Sequence, residues 1–189
     1  MPPSDQEVPE PWRSFFAEVD SRLTEEVQLH CCGGFVVTQL YCVARTAGDL
    51  DFLSVVPNVG SELSQIAGKG SALHRKYRVY LDAVTVTTPL EDYEKRLVPM
   101  FPGKWRRLHL FALEAHDLAL SKLERNFERD RDDVQQLARA GHLRPEVLSE
   151  RYYSEFRPLV AHEGRHDLTL RLWLDSCWSN LSRSDKELG

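Results

Sequence analysis

Two aspartates one residue apart, Asp49 and Asp51, open the segment Asp49-Leu50-Asp51-Phe52-Leu53-Ser54-Val55-Val56, whose apolar and β-branched content predicts a strand. Alternate residues of a strand share a face, so both carboxylates point one way with Cα atoms roughly 6.6 Å apart, while Leu50 and Phe52 anchor the other side. Like charges held side by side are costly unless a cation or water compensates them. Mg²⁺ (or Mn²⁺) is the economical answer, a hard ion that takes one or two carboxylates plus substrate phosphates. The plain alternative is a solvated strand end. A third carboxylate, Asp82, lies inside the apolar run Val79-Tyr80-Leu81-Asp82-Ala83-Val84. There it either faces water from an edge strand or needs a partner or cation. If its strand pairs beside the first, the three carboxylates enclose one or two ions.

Upstream, Gly33-Gly34 lies between a short apolar stretch, Leu29 to Cys32, and the run Phe35, Val36, Val37, Leu40, Tyr41, Val43, which has helical spacing. Glycines at a strand-to-helix turn let backbone N–H groups approach a phosphate, with the helix dipole adding to the attraction. Without a ligand the same residues are an ordinary turn. In order along the chain, a strand, a Gly-Gly turn, a helix and an Asp-x-Asp strand offer one element for a triphosphate and one for the metal that neutralises it.

Hydrophobic spacing predicts the elements that must position these groups. Trp12, Phe15, Phe16, Val19, Leu23 and Val27 predict an amphipathic helix. A helix over Gly60 to Ala67 and a turn at Gly68-Lys69-Gly70 follow the Asp49 strand. Tyr77 to Thr87, rich in β-branched and aromatic residues, predicts another strand. From Glu114 to Ala140 there is no proline or glycine and much charge, which predicts helix, and two further helices are expected over Pro145–Phe156 and Leu168–Trp178. The expected class is α+β: a small mixed sheet flanked by helices over 12–103, a mainly helical region over 104–189, and a proline-rich, disordered lead-in over 1–11.

The 189 residues are 42% hydrophobic and 28% charged with a net charge of -5, which describes a globular chain with no global basic field for nucleic acid. No apolar run approaches the ~20 residues that span a bilayer, so no membrane partner is expected. The N-terminus lacks a signal-peptide profile. Of four cysteines, Cys31 and Cys32 are adjacent and form no spaced framework, which suits reduced thiols in the cytoplasm.

Other signals compete. His162-Glu163-Gly164-Arg165-His166 matches the letters of a zinc-hydrolase motif, which requires both imidazoles on one helix face. Gly164 and the nearby Pro158 argue for a polar loop instead. Gly68-Lys69-Gly70-Ser71 resembles a phosphate loop but lacks the first glycine of that spacing. Lys69, His74, Arg75, Lys76 and Arg78 form one basic cluster and Lys104, Arg106 and Arg107 another, either a contact for phosphates or surface charge. If 114–139 is one helix, Lys122, Asn126, Arg129 and Asp133 share a stripe able to meet phosphates, with Asp133 orienting Lys122. If Asp130 caps a second helix, the stripe lapses.

The stretch HCCGGFVVTQLYCVARTAGDLDFL, His30 to Leu53, resembles the Gly-Gly/Ser, helix, Asp-x-Asp signature of the DNA polymerase β-like nucleotidyltransferase superfamily. With Arg45-Thr46 shortly before the aspartates, it is similar to the bacterial AbiEii-like toxins and their nucleotidyltransferase-like relatives. Asp117-Leu118, Lys122 and Arg129 to Val134 resemble the later block of that family, so the likeness covers about residues 28–140. It implies Gly33 and Gly34 as the nucleotide-phosphate turn, with Arg45, Thr46 and Lys122 among the nucleotide-binding positions. It also implies Asp49, Asp51 and Asp82 as metal ligands, and Lys122 and Asp133 as the later catalytic pair. Gly34 stands where many members have serine, which removes a hydroxyl contact to phosphate. The implied activity is Mg²⁺- or Mn²⁺-dependent transfer of a nucleotidyl group from an NTP to an RNA, protein or small-molecule hydroxyl. A cognate antitoxin is the partner such a toxin implies. A non-catalytic nucleotide-binding or interaction module with the same fold is the alternative, followed by a zinc hydrolase on His162 and His166.

Overall fold

A computed structural model describes residues 7–41, 47–84 and 89–178. The first helix, α1 (Trp12–Arg22), buries Trp12, Phe15, Phe16 and Val19 on one stripe. It stops five residues short of Val27, because Leu23 is already extended and Val27 is the first residue of strand β1 (Val27–Cys32). Helical spacing there loses to sheet pairing. The Val27 N–H donates to the Arg107 carbonyl at 2.7 Å, and the Asp20 carboxylate accepts from the N–H groups of Arg107 and Leu108 at 2.6 and 2.8 Å.

β1 runs into helix α2 (Gly33–Gln39) and then pairs antiparallel with β2 (Asp49–Val56). Helices α3 (Gly60–Ala67) and α4 (Ala72–Tyr77) lead to β3 (Tyr80–Ala83), which lies parallel to β2. The strand expected over Tyr77 to Thr87 is therefore shorter. Ser71 caps α4 by accepting the His74 N–H at 3.1 Å, and Arg78 at φ 63° ends that helix in the left-handed region before the chain can extend. Residues 85–88 lie outside the described ones.

Two strands that alternation alone did not single out complete the sheet: β4 (Val98–Met100), and β5 (Leu108–Ala112), which lies parallel to β1. The order is β3-β2-β1-β5-β4. This is the expected α+β class, a mixed sheet flanked by helices.

The chain divides into two compact units, residues 1–85 with 96–113 and residues 86–95 with 114–189. The sheet unit is cored by Leu29, Leu50, Leu81, Leu108 and Leu110 and by an aromatic cluster in which Trp12 and Phe16 meet Phe35 at 4.5 and 5.8 Å. The helical unit contains α5 (Ala115–Leu123), α6 (Glu128–Arg139), α7 (Pro145–Arg151) continuing into a π turn over Tyr152–Phe156, and α8 (Glu163–Trp178). Its core includes Leu118, Leu120, Leu137, Leu148, Tyr152, Phe156 and Trp173. The helical segment 114–139 is two helices, the alternative in which Asp130 caps the second. Asn126 sits at φ 49°, which the α-helix excludes, and its side-chain oxygen accepts the Trp173 indole N–H at 3.2 Å.

Candidate active site

Parallel pairing of β3 with β2 sets Asp82 opposite Asp51 and Tyr80 opposite Asp49. Since alternate residues share a face, the three aspartates and Tyr80 line one side, and Leu50, Phe52 and Leu81 are buried on the other. One carboxylate oxygen from each of Asp49, Asp51 and Asp82 lies within 4.8 Å of the other two. Asp49 and Asp51 are half-buried and Asp82 is exposed. Among the described residues no other three His, Cys, Asp or Glu side chains gather in this way.

Gly33 is fitted to this cluster. Its φ of +71° is one that side chains rarely adopt, and a Cβ there would lie 2.8 Å from the Asp51 Cγ and closer still to the Asp51 Oδ2. Glycine is thus required twice, for the turn after β1 and for the approach of the Asp51 carboxylate. What stands against Gly33 is that carboxylate, and Gly34 follows it into α2, buried. Arg45 and Thr46 lie outside the described residues.

Tyr80 was passed over in the sequence, although its place two residues before Asp82 puts it on the same face. Its hydroxyl donates to the Asp49 Oδ2 at 3.3 Å, its ring centroid is 4.8 Å from that of His74, and the Lys69 Nζ lies 5.8 Å over it. Burial, then the charges of Asp49, Asp82 and Asp51, push its phenol above the ordinary tyrosine range.

The later block of charged residues belongs to the helical unit. Asp130 caps a second helix, so the stripe of Lys122, Asn126, Arg129 and Asp133 lapses: Asp130 accepts the Phe127 N–H at 3.0 Å at the start of α6 and forms a bidentate pair with Arg125 at 2.8 and 2.6 Å. Lys122 and Asp133 nevertheless meet, across the α5–α6 hairpin rather than along one helix. The Lys122 Nζ donates to the Asp133 Oδ2 at 2.7 Å and lies 3.5 Å from Asp130, with all three residues buried. Arg129 is exposed.

Asp117 accepts from Arg151 at 2.7 Å. Arg151 also donates to Glu114, whose other oxygen meets the His116 Nδ1 at 2.7 Å. The His116 Nε2 accepts the Arg144 N–H at 2.9 Å, so the ring proton sits on Nδ1 and points at Glu114. Burial opposes ionisation of Glu114, but the His116 hydrogen bond and the Arg151 guanidinium hold its carboxyl down to about 2.

The zinc-hydrolase letters do not make a loop. Residues 163–166 form the first turn of α8, because the His162 carbonyl accepts the N–H groups of Arg165 and His166. His162 is exposed and His166 buried, so the pattern does not yield two imidazoles on one open face.

An all-oxygen set of three carboxylates fits a hard divalent cation such as Mg²⁺ or Mn²⁺, whose charge offsets the repulsion within the cluster. A mixed sheet carrying such a set on adjacent strands, beside a glycine turn between strand and helix, is an arrangement suited to metal-assisted phosphate chemistry. The family described as "nucleotidyltransferase of unknown function" (DUF6036) matches residues 17–175, and the chain belongs to it. No curated protein and no solved structure matches the chain. No described helix is long and apolar enough to cross a membrane.

Proposed function

We propose that this chain is a divalent-metal-dependent nucleotidyltransferase of the AbiEii-like kind within the polymerase β-like superfamily. It moves a nucleotidyl group from an NTP to a hydroxyl of an RNA, a protein or a small molecule. The observation that carries this reading is the gathering of Asp49, Asp51 and Asp82 within 4.8 Å on one side of β2 and β3, in a member of a nucleotidyltransferase family. These three residues would hold Mg²⁺ or Mn²⁺, which supplies charge neutralisation and polarisation of the reacting phosphate.

The chain's own groups do the rest. The acceptor oxygen attacks the α-phosphate in line as the bond to pyrophosphate breaks, and Asp82, the most exposed of the three, takes the hydroxyl proton. By the family resemblance Gly33 and Gly34 form the phosphate turn, which a phosphate would reach beside the Asp51 carboxylate that Gly33 admits. By the family resemblance Lys122 and Asp133 are the later catalytic pair, and in the helical unit the two form a buried ion pair. The resemblance to AbiEii-like toxins extends the proposal to a toxin with a cognate antitoxin, acting in the cytoplasm.

The test is transfer of label from α-³²P NTPs, with Mn²⁺, to total RNA, to total protein and to a small-molecule extract. Wild-type chain labels one of them, and Asp51→Asn lowers the rate at least about 100-fold while its circular dichroism is unchanged. Labelling that survives in both Asp49→Asn and Asp51→Asn refutes the assignment.

A further inference from the structure

The turn Gly68-Lys69-Gly70-Ser71, with its phosphate-loop letters, has a different place in the fold. Gly68 forms a parallel bridge with Leu81, tying the turn to β3 between Tyr80 and Asp82. Gly70, at φ +84°, turns its N–H onto the His74 Nδ1 at 2.8 Å, and Ser71 caps the helix that carries His74. The His74 ring and the Lys69 ammonium in turn both contact the ring of Tyr80. Lys69 directly, and Gly70 and Ser71 through His74, thus bear on Tyr80, whose hydroxyl reaches Asp49.

Asp49 needs such support. It is the first residue of β2, at the strand end rather than its middle. A carboxylate that binds an ion must be held to within about 0.5 Å. We propose that Tyr80 is a positioning residue for Asp49, and that the Gly68–Ser71 turn and His74 act through it. This rests on the reading that the three aspartates hold a divalent cation. The Tyr80 hydroxyl donates to the Asp49 Oδ2 and so restrains the orientation of that carboxylate. Its ring is engaged by His74 and Lys69, which argues for a clamped strut rather than a surface on which a nucleobase stacks.

Mn²⁺ binding to the full chain without nucleotide, followed by the electron-paramagnetic signal of the free ion, tests this independently of turnover. Tyr80→Phe removes the hydroxyl and keeps the ring. It is expected to weaken Mn²⁺ roughly tenfold, as loss of a ligand's hydrogen-bond partner does, with nucleotidyl transfer returning as Mn²⁺ is raised. Tyr80→Leu should weaken binding by the same factor. His74→Ala should weaken it less, and adding it to Tyr80→Phe should cost nothing further, because its effect passes through the missing hydroxyl. Wild-type affinity in Tyr80→Phe, a loss seen only in Tyr80→Leu, or independent effects of His74→Ala and Tyr80→Phe would each overturn the inference while leaving the metal site standing. If wild-type chain and Asp51→Asn bind Mn²⁺ equally, the metal site itself is wrong and this inference falls with it.

Discussion

Replacing Gly33 by alanine separates two costs that the structure combines at one position. The first is conformational: at φ +71° an L-residue loses about 1–2 kcal/mol relative to glycine. The second is steric, because the new methyl would lie 2.8 and 2.9 Å from the Asp51 Cγ and Cβ and nearer still to Oδ2. Overpacking of this kind costs about 1–3 kcal/mol when the neighbour cannot yield. Rotation of the Asp51 side chain moves its carboxylate but not its Cβ, so full relief also requires β2 to shift against the turn and disturbs the position of that carboxylate. Gly103 supplies the control, since it has φ +74° and nothing within 4 Å of a would-be Cβ. Urea unfolding of both variants should show Gly103→Ala destabilised by about 1–2 kcal/mol, and Gly33→Ala by about 2–5 kcal/mol. In the same samples Mn²⁺ affinity should survive Gly103→Ala and drop at least about tenfold in Gly33→Ala. Equal stabilities with Mn²⁺ bound normally by both would show that Gly33 serves the turn alone, and the coupling between that turn and Asp51 would be refuted.

Two further outcomes concern the helical unit. The folded-state value of about 2 for Glu114 lies below the ordinary 4.5, so the ionised group stabilises the fold fully above about pH 4.5 and loses that contribution as pH falls toward 2. Glu114→Gln should be less stable than wild type at pH 7 by at most about 3 kcal/mol, with the gap narrowing below pH 4.5 in denaturation series; a gap independent of pH would rule out an ionic role. Lys122→Met takes the ammonium from the buried Asp133, while Asp130 keeps Arg125, and should cost about 3–5 kcal/mol. Adding Asp133→Leu should recover more than half, and simple additivity of the two changes would deny the buried pair.

Where the sequence was misleading, a distant contact had overruled a local pattern. Val27 continues the periodicity of α1 yet belongs to β1, because the Arg107 carbonyl takes its N–H. Tyr77 begins a β-rich run yet ends α4, where its hydroxyl donates to the Glu18 carboxylate 59 residues earlier. Residues 114–139 lack any glycine or proline to announce a break, and the break falls at Asn126, whose side chain is held by Trp173, 47 residues on. The β4 and β5 strands carry no strong alternation of their own, and β5 is sheet because it lies against β1.

The sequence alone decided what period-two geometry and residue chemistry can decide. Asp49 and Asp51 share a face, Leu50 and Phe52 face the core, and a glycine turn precedes a helix on the way to them. Alternation is a property of each strand by itself, so these statements needed no partner. The third carboxylate did: Asp82 faces the others because β3 pairs with β2 in a parallel register that places it opposite Asp51. That register depends on the path through α3 and α4. Lys122 and Asp133 meet for a similar reason, since it is the folding back of α6 on α5, not the spacing of eleven residues, that closes a buried ion pair. Local sequence set which groups were available and which way each strand turned them; packing between distant segments set which of them came within reach of one another.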